Sequence, residues 1–191
     1  MLFEALTLII HAIFGFFAFV LLLRFWMQWA RVATRNPLSA FVQSLTNFIV
    51  MPARHFIPGL WGHDLATLVL AWVTIVIELL IIALLRSAFT GMPIAIGGVL
   101  IMAVLMLVRL MIFLVIGAIL LQVVLSWVNP SSPIAPVVHA LTAPLLRPIQ
   151  RVVPTIGMVD LSPLIALVLL QLLLIPLDYL ARGLGAGVAG L

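Results

Sequence analysis

Three ionisable residues sit inside long apolar runs of this chain: His11, Glu78 and Arg109. Ionisable groups are costly in hydrocarbon, so each is a candidate for function. His and Glu both titrate, and side by side they could relay a proton or an ion. Arg109 stays charged, and an ion pair with Glu78, with His11 nearby, would make the burial tolerable. The same trio also reads as a structural polar clamp between helices. A second set lies in two proline-rich connections, Pro52-Ala-Arg54-His55-Phe-Ile-Pro58 and Pro144-Leu-Leu-Arg147-Pro148-Ile-Gln-Arg151-Val-Val-Pro154. Arginine displayed on a stiff turn suits an anion, a lipid headgroup or a partner protein; the plainer reading is that it anchors the connection on one side of a membrane. Asp64 and Asp160 follow these connections. Each reads as a helix cap, with a salt bridge to Arg54 or Arg151 as the alternative.

Enzyme chemistry finds no foothold. The four histidines (11, 55, 63, 139) have no HxxxH or HExxH spacing. His55 and His63 would hold a metal only in a favourable loop geometry. Ser126-Trp127 and Ser131-Ser132 have no adjacent base or elbow glycines. Cysteine is absent, which removes thiol nucleophiles, thiolate metal sites and covalent haem attachment. No catalytic, cofactor-binding or metal residue is therefore predicted, no cofactor is implied, and the chain is not expected to be an enzyme.

The elements that must carry these residues follow from scarcity of charge. Nine Arg, five Asp or Glu and no Lys are spread over 191 residues, and 66% of the chain is hydrophobic. An ordinary soluble domain carries about 25% charged residues; this one carries 7%. Soluble, disordered and nucleic-acid-binding classes are excluded together, because a net charge of +4 this dispersed makes no phosphate-binding stripe. The chain reads as an integral membrane protein whose first partner is the lipid bilayer.

Four stretches are long enough to cross about 30 Å of hydrocarbon: roughly 4–30, 65–85, 106–128 and 161–179. Glu4 is the one charge before the first run, which argues for a retained span rather than a cleaved signal peptide. Residues 94–105, opened by Pro93 and carrying Gly97-Gly98, read as a tilted extension of the third span or an interfacial segment. Arg31, Arg35 and Arg54, with Arg24 at the edge, lie between spans one and two; Arg147 and Arg151 lie between spans three and four. The positive-inside rule puts both connections in the cytoplasm and both termini outside.

A shift of 96 residues superimposes the two connections. Pro37, Val42, Leu45, Thr46, Pro52, Pro58, Asp64 and Leu65 fall on Pro133, Val138, Leu141, Thr142, Pro148, Pro154, Asp160 and Leu161. At a shift of 98, His11 meets Arg109, Arg24 meets Gln122 and Trp29 meets Trp127. The fold expected is all-α: four transmembrane helices from two tandem parallel two-helix repeats, 1–90 and 91–191. In each connection apolar residues recur at helical spacing: Leu38, Phe41, Val42, Leu45, Phe48 and Ile49 in the first, Ile134, Val137, Val138, Leu141 and Leu145 in the second. They predict an amphipathic interfacial helix in each repeat. Prolines at 52, 58, 144, 148 and 154 are expected to end those helices in a Pro-rich loop. Trp26, Trp29, Trp61 and Trp127 gather at the inner edge, as interfacial aromatics do.

Leu22-Leu-Arg24-Phe-Trp26-Met-Gln-Trp29-Ala with Asn36-Pro37 resembles the bacterial YggT family. So does the second connection from Pro144 to Pro154 followed by Asp160-Leu-Ser162-Pro163. The resemblance covers nearly the whole chain. The first copy departs from it, with Arg54-His55 for the usual basic pair and Asp64-Leu-Ala lacking Ser-Pro. The resemblance implies a bacterial inner-membrane protein of two tandem repeats, loosely associated with cell division and osmotic-stress protection and, in plastid relatives, with haem attachment. It supplies no catalytic residue. The motif positions are Pro144, Arg147, Pro148, Arg151, Pro154, Asp160, Ser162 and Pro163.

Two functions stay open. One is a scaffold or assembly factor that docks a membrane or cytoplasmic protein, of unknown identity, on the Pro/Arg connections. The other is a small channel or transporter for ions or osmolytes built on His11, Glu78 and Arg109, with a homo-oligomer completing its pore. Neither involves nucleic acid.

Overall fold

The computed structural model describes residues 2–57, 64–91, 93–153 and 160–187. Pro58, Trp61, His63 and Pro154 lie outside the described residues. The described residues form six helices and no strand: α1 (Leu2–Trp29), α2 (Pro37–Phe56), α3 (Leu65–Thr90), α4 (Ile96–Val128), α5 (Ala135–Val152) and α6 (Ser162–Gly187). Four of them, α1, α3, α4 and α6, are long and apolar enough to cross a membrane. The remaining two, α2 and α5, are amphipathic.

Local chemistry sets the ends. Backbone bonds from Arg31 N to Gln28 O (3.1 Å) and from Val32 N to Met27 O (2.9 Å) close α1 as a Schellman motif. Val32 and Met27 then pack together in one apolar cluster. The motif requires a left-handed residue, and Arg31 fills that place at φ 54°. Glycine is the usual occupant, because a side chain there costs about 1–2 kcal/mol. Gly91, at φ 69°, does the same job after α3 at no such cost. Asn36 caps α2: its Oδ1 accepts from Ser39 N at 2.7 Å, and Pro37 occupies the first turn.

The prolines do not stop the connecting helices. The α2 helix runs through Pro52 to Phe56, and α5 runs through Pro144 and Pro148 to Val152. Pro52 and Pro148 are exposed, on the outward side of their helices. The opposite faces, with Val42, Thr46 and Val50 in α2 and Val138, Thr142 and Leu146 in α5, are buried. Each proline removes one backbone bond, but burial of the opposite face keeps the helix continuous. The third span also differs from its expected start near 106. Helix α4 is continuous from Ile96, and Val99 and Ala103 are fully buried against Ala18, Ile75 and Leu79. Residues 96–105 are thus a packed extension of the helix; Gly97-Gly98 does not interrupt it.

The long helices pack chiefly as α1 with α3 and α4 with α6, and α3 with α4 joins the pairs. Helices α2 and α5 lie at the same end of the bundle, where Val42 and Leu141 share a cluster with Met27 and Val137. There the Trp26 indole N–H donates to the Leu141 carbonyl at 2.9 Å, linking α1 to α5 across 115 residues. Trp26→Phe keeps one aromatic ring and loses that bond together with part of the indole's bulk. The expected result is a loss of about 1 kcal/mol in unfolding titrations in mixed micelles.

Candidate functional site

Most of the polar side chains inside the long helices form two layers, with Thr74 and Gln171 between them. The upper layer, away from α2 and α5, holds His11, Glu78, Arg109 and Asp178. Glu78 is 2% exposed, and its Oε1 accepts a hydrogen bond from His11 Nδ1. Arg109 does not pair with Glu78 as the sequence predicts: its Nη1 lies 3.3 Å from Asp178 Oδ1. Its guanidinium also stands 5.5 Å from the Phe113 ring centre. The reason is placement on the helices. The strongest contacts are within the pairs α1·α3 and α4·α6, so each basic side chain meets the acid on its own partner helix. All three predicted residues nonetheless line one cleft of about 320 Å³ between α1, α3 and α4.

The lower layer, at the α2/α5 end, contains two sets of contacts at positions that the sequence offsets of 96 and 98 make equivalent. Arg24 Nη1 donates to Thr46 Oγ1 (2.6 Å) and Asn47 Oδ1 (2.9 Å). The equivalent Gln122 Oε1 accepts from Thr142 Oγ1. Arg54 Nε and Nη2 donate to Asp64 Oδ2, the former at 3.1 Å, and Thr67 Oγ1 donates to the same oxygen at 2.6 Å. The equivalent of Arg54 is Gln150, whose Nε2 donates to Asp160 Oδ2 at 2.8 Å. Arg151 is not the partner of Asp160; it lies one residue further on and is exposed. Ser162 is buried and starts α6, but the carboxylate caps it: Asp160 Oδ1 accepts from Ser162 N at 2.9 Å. Pro163 follows in the first turn.

Electrostatics separate the two aspartates. Burial pushes the Asp64 carboxyl up, but hydrogen bonds from Arg54 and Thr67 and the Arg54 charge outweigh it and hold it below its ordinary value of 3.8. Asp160 feels a slight upward push from burial and is held below the ordinary value by hydrogen bonds from Ser162 and Gln150.

Between the layers lies apolar packing. Leu21, Leu22, Ala71, Val115 and Ile119, contributed by α1, α3 and α4, are 0–4% exposed. Thirteen residues of α1 separate His11 from Arg24, about 20 Å along the axis. On α5 the surface is different. Arg147, Pro148 and Arg151 are exposed, one turn apart along one side, and Pro144 is half-buried between them and the bundle. Among the described residues neither Arg147 nor Arg151 forms an ion pair. No group of three or more His, Asp or Glu among the described residues could hold a metal.

Several partners escaped the sequence reading. Asp178 as the mate of Arg109, Gln150 as the mate of Asp160, and the Trp26–Leu141 bond were not predicted. The Arg24–Thr46 contact had a signal: polar residues recur at the offsets of 98 (Arg24 and Gln122) and 96 (Thr46 and Thr142), and such recurring polar positions are candidates for contact.

The family model described as CCB3/YggT matches this chain twice, over residues 3–85 and 101–181. A protein of Escherichia coli (strain K12) named "Uncharacterized protein YggT" is 38% identical over 172 residues, 89% of this chain and 87% of the relative. A Vibrio alginolyticus protein, named for its place in the proC 3' region, is 34% identical over 169 residues, 88% and 90% of the two chains. A Haemophilus influenzae protein is 36% identical over 172 residues, 87% and 88% of the two. No solved structure matches.

Proposed function

Because this chain belongs to the CCB3/YggT family, we propose that it is a non-enzymatic scaffold or assembly factor of the bacterial inner membrane. In this reading it has two tandem repeats in the same orientation, α2 and α5 on the cytoplasmic side, and both termini outside. Links to osmotic-stress protection and cell division go with the resemblance. The observation that carries the reading is the α5 surface, where Arg147 and Arg151 stand exposed with no ion-pair partner among the described residues. A cationic edge free of internal partners suits an acidic surface of another protein.

The repeat reading draws support from the two successive family matches and from the equivalent contacts of Arg24–Thr46 with Gln122–Thr142. The alternative, an ion or osmolyte channel, needs a polar path. Leu21, Leu22, Val115 and Ile119 close the space between the two polar layers within one chain, which favours the scaffold.

In-membrane photo-crosslinking tests the choice. A photoreactive residue placed at Gln150 should capture one discrete protein, and Arg147→Gln with Arg151→Gln should reduce that product about tenfold without lowering the folded level. Unchanged capture, or an ion flux in reconstituted vesicles that vanishes with Glu78→Gln, would overturn the scaffold in favour of the channel.

A further inference from the structure

A cleft of about 640 Å³ opens at the α2/α5 end, between the last turns of α1 and the polar side of α2. Arg24, Arg31 and Arg54 line it, together with the neutral polar side chains of Gln28, Gln43 and Asn47. No carboxylate is among its lining residues. Asp64 neutralises Arg54 from outside the cleft. The other two arginines have no acidic partner among the described residues. Arg24 is held in place by the neutral Thr46 and Asn47. It is half-buried, and its charge is met only by those two neutral acceptors and, at longer range, by the Asp64 carboxylate that Arg54 already engages.

Arg31 supplies the second, independent observation. Its backbone occupies the left-handed position of the α1 Schellman motif, where glycine is preferred. Its side chain makes no hydrogen bond or ion pair that would explain an arginine in that place. Backbone strain held beside a cleft is a pointer to a ligand. Two guanidiniums lining one cavity, neither in an ion pair among the described residues, fit a phosphate, whose oxygens match their planar donor fork. The setting selects its source. Trp26 and Trp29 stack 4.6 Å apart on the same end of α1, as aromatics do at the level of headgroups. The exposed rings of Phe41 and Phe48 stand on α2, Phe48 beside Phe17 of α1 at 5.8 Å between ring centres, and offer apolar surface for acyl chains.

We propose that this cleft binds the phosphodiester headgroup of an anionic phospholipid, with Arg24 and Arg31 as its ligands. The site lies in the first half of the chain and is separate from the Arg147/Arg151 surface, so either can fail alone.

Native mass spectrometry of the full chain in detergent tests it with three probes: phosphatidylglycerol, phosphatidylcholine and inorganic phosphate. Phosphatidylglycerol should be retained about tenfold better than phosphatidylcholine, as two arginines near a headgroup predict. Arg31→Gly should abolish that preference while leaving the unfolding temperature unchanged or higher, since glycine suits the turn. Arg24→Gln should also abolish it, and Arg86→Gln, at the other end of the bundle, should not. Equal retention of the two lipids, or wild-type preference in Arg31→Gly, overturns the proposal. Inorganic phosphate at millimolar concentration displacing phosphatidylglycerol, and binding as tightly alone, would overturn the lipid as source and assign the cleft to free phosphate.

Discussion

Replacing His11 by Ala should destabilise the protein by about 3 kcal/mol, the scale for breaking a buried pair from one side. The effect comes from what is left behind. Glu78 is 2% exposed, and His11 is its hydrogen-bond partner. His11 itself is more than half exposed, so the histidine loses little by being removed; the carboxylate loses its compensation. A second substitution makes the argument specific. In the His11→Ala background, Glu78→Gln removes the uncompensated charge while keeping the shape of the side chain. It should recover at least half of the loss, and the same Gln alone in the wild type should cost less than His11→Ala. Unfolding titrations of the four proteins in mixed detergent micelles give the cycle. If the double variant is as unstable as His11→Ala alone, packing rather than charge decides this site. Arg109, which lines the same cleft, keeps its own acid, Asp178, throughout.

The second large effect belongs to Asp64. It stands just before α3, its carboxylate accepts from Arg54 and from the hydroxyl of the fully buried Thr67, and it is itself 6% exposed. Asp64→Ala strands the Thr67 hydroxyl and removes two charge-assisted bonds, for a cost of about 2–3 kcal/mol. Arg54 is nearly half exposed and returns to water cheaply, so it adds little. The equivalent Asp160 is exposed and is held by the neutral Gln150; Asp160→Ala should cost less than about 1 kcal/mol. The pH dependence has a definite sign. A carboxyl whose folded value lies below the ordinary 3.8 contributes stability that is complete above the unfolded value. That contribution is lost as pH falls through the folded value. The wild type should therefore lose stability on acidification below about pH 4, and Asp64→Asn should flatten that limb. An acid limb of unchanged depth in Asp64→Asn would refute the assignment.

Much of this was legible because the physics was local. Apolar length marks α1, α3, α4 and α6, and the helical spacing of Leu38, Val42, Leu45 and Ile49 marks α2. Asn36, part of the family resemblance alone, proves to cap that helix through Ser39 N. Where the sequence misleads, the deciding force is tertiary. Pro52, Pro144 and Pro148 read as terminators, yet the buried faces of α2 and α5 carry the helices through them. Glu78 and Arg109 share a depth, but depth cannot say which helices touch; the α1·α3 and α4·α6 pairings choose His11 and Asp178 instead. The strained turn at Arg31 had no sequence signal, because an arginine between Ala30 and Val32 advertises neither a cap nor a left-handed residue.

The two amphipathic helices share one end of the bundle, α2 packed on α1 and α5 on α4. Among the described residues the α3–α4 junction at the other end carries no helix of its own. Placed in a bilayer, a bundle with extra helix at one end would meet the two leaflets unequally. Stretching or bending that bilayer would then load the seams of α2 and α5 before those between the long helices.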